Sequence, residues 1–128
     1  MDLKIDSRVR RLTGAEKAQF GRDGYIKNLP VFAPEGVAEL QKMFDEWSGR
    51  LPKEIDINRV NMWHKASCSF SRLCHTSAIL DYIEDVVGPN FYQWGGQFFV
   101  KYPHDGSEVP WHQDCQYWPL SPKRTVTA

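Results

Sequence analysis

The stretch Phe91–Tyr102, FYQWGGQFFVKY in one-letter code, alternates between apolar and polar side chains. Aromatic and aliphatic residues at positions 92, 94, 98, 100 and 102 share one face, and Gln93, Gln97 and Lys101 share the other. A period of two residues is typical of a β-strand that buries one face. Gly95-Gly96 indicates a bulge or a close backbone approach in mid-strand. The pattern therefore predicts a strand with Gln97 on its open face and Phe98 on its packed face.

Helical signals precede this stretch. Thr13 followed by Glu16 is a capping-box pattern that begins a helix ending at Asp23-Gly24. Pro34 begins a second helix, with apolar side chains at helical spacing until Gly49. The third helix, 77–87, has one apolar face and ends at Gly88-Pro89. Short strands are predicted at 25–29 and 125–128, and a long loop over 50–70.

The composition excludes several classes of protein. The chain has 128 residues, a formal net charge of zero and 41% hydrophobic residues, which indicates one globular domain with no overall attraction to nucleic acid. Apolar runs do not exceed three residues, so no membrane span or signal-peptide core is predicted. Three cysteines without a CxxC pattern favour a reducing compartment, and we expect a cytoplasmic protein.

The sharpest chemical signal follows the predicted strand, at Trp111-His112-Gln113-Asp114. In an extended segment, residues i and i+2 project to one face, so His112 and Asp114 can present a nitrogen and an oxygen to one ion. These are two members of the 2-His-1-carboxylate triad that holds non-haem iron. The motif is short, and a hydrogen-bonded His beside a surface carboxylate is the alternative.

Further motifs lie in order along the chain: Thr13, Glu16, Phe20, Asp23-Gly24-Tyr25, Gly88-Pro89-Asn90, Gln97-Phe98-Phe99-Val100-Lys101 and Tyr117-Trp118-Pro119-Leu120. Together with Trp111-His112-Gln113-Asp114, these motifs resemble the phytanoyl-CoA dioxygenase family over residues 13–128. This resemblance implies an iron(II)- and 2-oxoglutarate-dependent oxygenase that uses molecular oxygen on a small organic substrate. It implies a mainly β fold with flanking helices, a double-stranded β-helix of the jelly-roll type. Residues 1–12 are polar and aperiodic, so we expect a flexible arm before this fold.

The resemblance also implies roles for individual residues. His112 and Asp114 would be iron ligands, with Gln113 between them close to the cosubstrate. Gln97 matches a strand position that contacts 2-oxoglutarate in the family. The alternative is an ordinary polar residue on the open face of a strand. Lys65 lies near a cosubstrate-binding Lys of the family in a loosely matching stretch, and a solvated loop lysine is the alternative.

One part of the family pattern has no match in these 128 residues. The distal iron-binding His and the Arg that binds the far carboxylate of 2-oxoglutarate belong to the second half of the family's fold. We therefore expect 13–128 to be the N-terminal part of a single dioxygenase domain, inactive in isolation and prone to strand exchange. The alternatives are an inactive fragment that serves as a weak metal-binding or interaction module, and a sugar- or amide-binding jelly roll.

Overall fold

The computed structural model describes residues 3–122 and 124–128, apart from the Cys115 side chain. In this part of the chain no helix is long and apolar enough to cross a membrane. The same residues form five α-helices and two short 3-10 turns, at Ile57–Arg59 and Asp114–Gln116. The helices are α1 (Gly14–Asp23), α2 (Pro34–Arg50), α3 (Trp63–Ala66), α4 (Cys68–Cys74) and α5 (Ser77–Val87).

Helices α1, α2 and α5 confirm the three helices predicted from sequence. In α1 the capping box is complete, since the Glu16 N–H donates to the Thr13 hydroxyl (3.2 Å) and the Thr13 N–H donates to the Glu16 carboxylate (2.8 Å). Gly24 ends α1 in the left-handed conformation at φ 78°, and its N–H donates to the Phe20 carbonyl. Both ends of α1 are therefore specified by its own local sequence.

The core is an aromatic cluster between α2 and the short helices that follow it. Its buried members are Met43, Trp47, Ile57, Trp63 and Phe70. The Trp47 and Trp63 rings stack with centroids 5.9 Å apart, and the Phe70 ring lies 5.6 Å from Trp47. Aromatic rings at such distances add to the free energy gained from their burial. The cluster thus holds α2, α3 and α4 together.

Helix α3 and the first residues of α4 replace the end of the long loop predicted over 50–70. Ser67 separates them and accepts a hydrogen bond from the Phe70 N–H at the start of α4 (3.2 Å). These helices have four and seven residues, too few for a helical period to repeat clearly. Packing of Trp63 and Phe70 in the core stabilises them instead.

The predicted mainly β jelly roll is wrong for this structure. The described residues contain no strand, only an isolated antiparallel bridge between Ile5 and Phe32. The stretch 91–102 runs beside the helices without a partner strand, and the segments 25–29 and 125–128 are not strands either. A strand needs a neighbouring strand to satisfy its N–H and C=O groups, and the described residues supply none.

Other groups bond to the backbone of 91–102 instead. The Asn58 side chain accepts from the Val100 N–H (2.6 Å) and donates to the Val100 carbonyl (3.2 Å). The Trp63 N–H donates to the Gly96 carbonyl (3.0 Å). One side-chain amide and the start of α3 therefore occupy positions that a partner strand would take.

Gly96 confirms the predicted close backbone approach. A Cβ atom at this position would lie 2.8 Å from the Phe70 ring, closer than real contacts allow. Just beyond it, Phe98 and Val100 pack against the core cluster, whereas 77% of Phe99 is exposed. Alternation between packed and exposed side chains thus holds over 98–100 even without a sheet.

The rest of the predicted packed face is wrong. Tyr92, Trp94 and Tyr102 are exposed, because no sheet covers them.

The N-terminal segment packs on the helices. Its Leu12 is buried, and the Leu12 N–H donates to the Asp85 carboxylate (2.8 Å), which Lys17 and Arg11 also bind (2.7 and 3.0 Å). Burial by itself raises the pKa of Asp85, but these hydrogen bonds outweigh it and lower the pKa to about 2. The predicted bounds of a flexible arm (1–12) and a domain (13–128) stay predictions.

Candidate functional site

The candidate site lies where the extended backbone after Pro110 turns into a 3-10 turn. Gln113 is extended, with φ −120° and ψ 124°, and the turn at Asp114–Gln116 begins directly after it. The Tyr117 N–H closes this turn on the Asp114 carbonyl (3.0 Å). Because Gln113 is extended, its neighbours His112 and Asp114 project to the same side. His112 Nε2 lies 3.2 Å from Asp114 Oδ1.

The second ring nitrogen of His112 is held by the backbone. His112 Nδ1 lies 2.8 Å from the Pro110 carbonyl oxygen. A carbonyl oxygen can only accept, so Nδ1 carries the proton of this hydrogen bond. In the neutral ring Nε2 then keeps its lone pair and faces Asp114, which is the tautomer that a metal ligand needs.

The second oxygen of Asp114 is held by a distant residue. The Thr127 hydroxyl donates to Asp114 Oδ2 over 2.6 Å, which leaves Oδ1 facing His112. Thr127 follows Asp114 by 13 residues, and no local spacing in the sequence pairs the two residues. Sequence reasoning therefore missed Thr127, just as it missed the Pro110 carbonyl.

The surroundings of the pair are open and aromatic. About a third of each side chain is exposed, 34% for His112 and 36% for Asp114. The Tyr117 ring meets the His112 ring edge-on, with centroids 5.8 Å apart, while Trp111 is fully exposed. Solvent and small molecules can thus reach the two facing atoms.

The facing atoms fit two neighbouring positions around a metal ion. Ligand atoms about 2.1 Å from an octahedral ion lie roughly 3 Å apart at right angles, close to the 3.2 Å between His112 Nε2 and Asp114 Oδ1. Imidazole and carboxylate are also the ligand types of non-haem iron sites. Across the described ranges, no three His, Cys, Asp or Glu side chains converge as a metal site. The structure therefore brings together the two side chains predicted for the triad, without a third among the described residues.

The predicted cosubstrate contacts are dispersed. Gln113 is exposed beside the pair, Gln97 is half-buried in the 91–102 stretch, and Lys65 is exposed on α3. Among residues 3–122 and 124–128, no hydrogen bond or salt bridge joins any of these three side chains to His112 or Asp114. Their roles toward 2-oxoglutarate stay predictions.

Comparisons with known proteins bear on the same region. The family model described as phytanoyl-CoA dioxygenase (PhyH) matches residues 20–128, which include the whole candidate site. No curated protein matches the chain. No solved structure matches it either.

Proposed function

The chain belongs to the phytanoyl-CoA dioxygenase family, and on this premise we propose that it is part of an iron(II)- and 2-oxoglutarate-dependent oxygenase that acts on a small organic substrate. The family match makes an oxygenase the expected class of enzyme. The proposal adds the metal, the cosubstrate and the residues that bind them.

The convergence of His112 Nε2 and Asp114 Oδ1 carries the proposal. When the His112 ring is neutral, His112 Nε2 and Asp114 Oδ1 each direct a lone pair at the other. Two such atoms 3.2 Å apart repel each other unless a cation or a proton lies between them. A divalent ion relieves that repulsion, and the Asp114 carboxylate neutralises one of its two charges. We propose these two residues as iron ligands.

Bound iron would supply the oxidative chemistry, in which one oxygen atom of O₂ enters the substrate and the other enters succinate as 2-oxoglutarate loses CO₂. The chain's own residues would bind and orient. The Pro110 carbonyl keeps the proton of His112 on Nδ1, and the exposure of the pair leaves room for the cosubstrate and oxygen.

We propose Gln113, Gln97 and Lys65 as cosubstrate contacts, although only Gln113 adjoins the pair in the chain. Side-chain amides and an ammonium group donate hydrogen bonds, which suits the two carboxylates of 2-oxoglutarate. The third iron ligand is not found among the described residues, so we propose that it comes from outside them.

The test measures succinate formed from 2-oxoglutarate with iron(II) and oxygen by the protein as its gene encodes it. We expect succinate in excess over protein, lost in Asp114→Ala and His112→Ala. Glu108→Ala removes an exposed carboxylate four residues before His112 and should leave turnover unchanged.

The 128 residues alone should bind iron without catalytic succinate, because two side chains cannot complete the facial triad. Metal binding without turnover by the gene-encoded protein would contradict the oxygenase proposal and favour a metal-binding module. Turnover that survives Asp114→Ala would place the iron elsewhere.

A further inference from the structure

We infer that Thr127 is a positioning residue for Asp114, holding its carboxylate in the orientation that a metal ion requires; the inference rests on the proposed function. The Thr127 hydroxyl lies 2.6 Å from Asp114 Oδ2. This distance is typical of a hydroxyl that donates to an ionised carboxylate, a class of hydrogen bond stronger than its neutral counterpart.

Asp114 needs such a partner because little else restrains its carboxylate. Its side chain is 36% exposed, and the terminal torsion of an aspartate has a broad energy profile. With Oδ2 bonded to Thr127, rotation of the carboxylate costs a hydrogen bond. Oδ1 is then the oxygen that remains directed at His112 Nε2.

The two proposed ligands are held in the same way. In His112, Nδ1 bonds to the Pro110 carbonyl and Nε2 is left to face the pair; in Asp114, Oδ2 bonds to Thr127 and Oδ1 is left to face the pair. Metal ligands in proteins commonly have one atom on the metal and another bonded to a neighbour that fixes their orientation. Thr127 is the side-chain member of this arrangement.

The segment around Thr127 provides a matched control. Thr125 has the same chemistry two residues earlier, and among the described residues it makes no hydrogen bond with Asp114. Thr127→Val keeps the side-chain shape and removes the hydroxyl, whereas Thr127→Ser keeps the hydroxyl. Thr127 is exposed, so neither change removes core packing.

The experiment titrates the protein anaerobically with Co²⁺ alone and measures the dissociation constant calorimetrically, with the visible Co²⁺ spectrum as a second readout. We expect Thr127→Val to weaken binding about tenfold and to alter the spectrum. Thr127→Ser should restore the wild-type affinity and spectrum, and Thr125→Val should match wild type. Thermal unfolding of each apo variant checks that the fold is unchanged.

Wild-type affinity in Thr127→Val, measured while Asp114→Ala binds weakly, would overturn the inference and leave the proposed site intact. Equal weakening by Thr127→Val and Thr127→Ser would also overturn it, because the hydroxyl would then not be the cause. If Asp114→Ala and His112→Ala both bind Co²⁺ like wild type, the proposed function loses its site, which is a separate and distinguishable failure.

Discussion

Residues 13–87, the helical region, and residues 91–128, the extended region, obey different physical rules. Three helices of the helical region, α1, α2 and α5, form where their caps and apolar periods predict them. In the extended region the predicted strands do not form, although the alternation over 91–102 is clear. A helix satisfies its backbone hydrogen bonds within its own segment, whereas a strand depends on another segment. A strand pattern therefore predicts a preference that only a partner can realise.

The extended region keeps the local part of its pattern. Phe98 still packs inward while Phe99 stays exposed, because alternation needs only an extended backbone. His112 and Asp114 still converge for the same reason. The pattern survives at these two places, whereas Tyr92 and Trp94, which a sheet would have covered, are exposed.

The largest expected effect comes from truncating one phenylalanine to alanine in each region and comparing the losses of stability. Phe70→Ala removes a ring that is 5% exposed and contacts Trp47, Trp63 and Phe98. It should lower the free energy of unfolding by about 4 kcal/mol. Phe99→Ala removes a ring that is 77% exposed and should change it by less than about 0.5 kcal/mol. Urea denaturation measures both, and similar losses would show that the extended region is packed as tightly as the helical one.

A second prediction tests whether the N-terminal segment is part of the helical region. The Asp85 side chain is 4% exposed, and its pKa is lowered from 3.8 to about 2. Burial raises this pKa, but the hydrogen bonds to the carboxylate lower it by more. The ionised Asp85 carboxylate therefore adds about 2 kcal/mol to the free energy of unfolding above pH 4. This contribution is lost as the pH falls toward 2.

Asp85→Asn should therefore lower the free energy of unfolding by about 2 kcal/mol at pH 7 and flatten its decline between about pH 4 and 2. The control Asp45→Asn changes an exposed carboxylate on α2 and should keep the wild-type slope. An unchanged slope in Asp85→Asn would mean that the ion pairs of Asp85 do not hold the segment.

A third prediction concerns the point where the two regions touch. Gly96→Ala places a Cβ atom 2.8 Å from the Phe70 ring, whereas Gly95→Ala places one 3.6 Å from the Asn61 side chain, an ordinary contact. Gly96→Ala should cost about 1–2 kcal/mol through overpacking, and Gly95→Ala less than about 0.5 kcal/mol. Thermal unfolding compares them. Equal stability of the two variants would indicate that the extended region does not approach Phe70.

The sequence predicts that His112 and Asp114 converge, but it predicts the wrong fold class. The spacing of His112 and Asp114 is enough to bring their facing atoms together, since only the extended residue between them matters. Thr127 could not be found, because its contact with Asp114 depends on how a later segment folds back. The sequence does not predict helices α3 and α4 for a related reason. Burial of Trp63 and Phe70 stabilises them, and their sequences contain no repeating helical pattern of apolar residues.

The central claim, that His112 and Asp114 bind a divalent metal ion, is tested most directly by paramagnetic broadening of NMR signals. Mn²⁺ accepts imidazole and carboxylate ligands and broadens the signals nearest to it. At substoichiometric Mn²⁺ we expect the signals of His112, Asp114 and Thr127 to broaden first, and Asp114→Ala to abolish this. Broadening that begins instead at Asp81 and Glu84, two α5 carboxylates that form ion pairs with Arg11, or that never saturates, would contradict the claim.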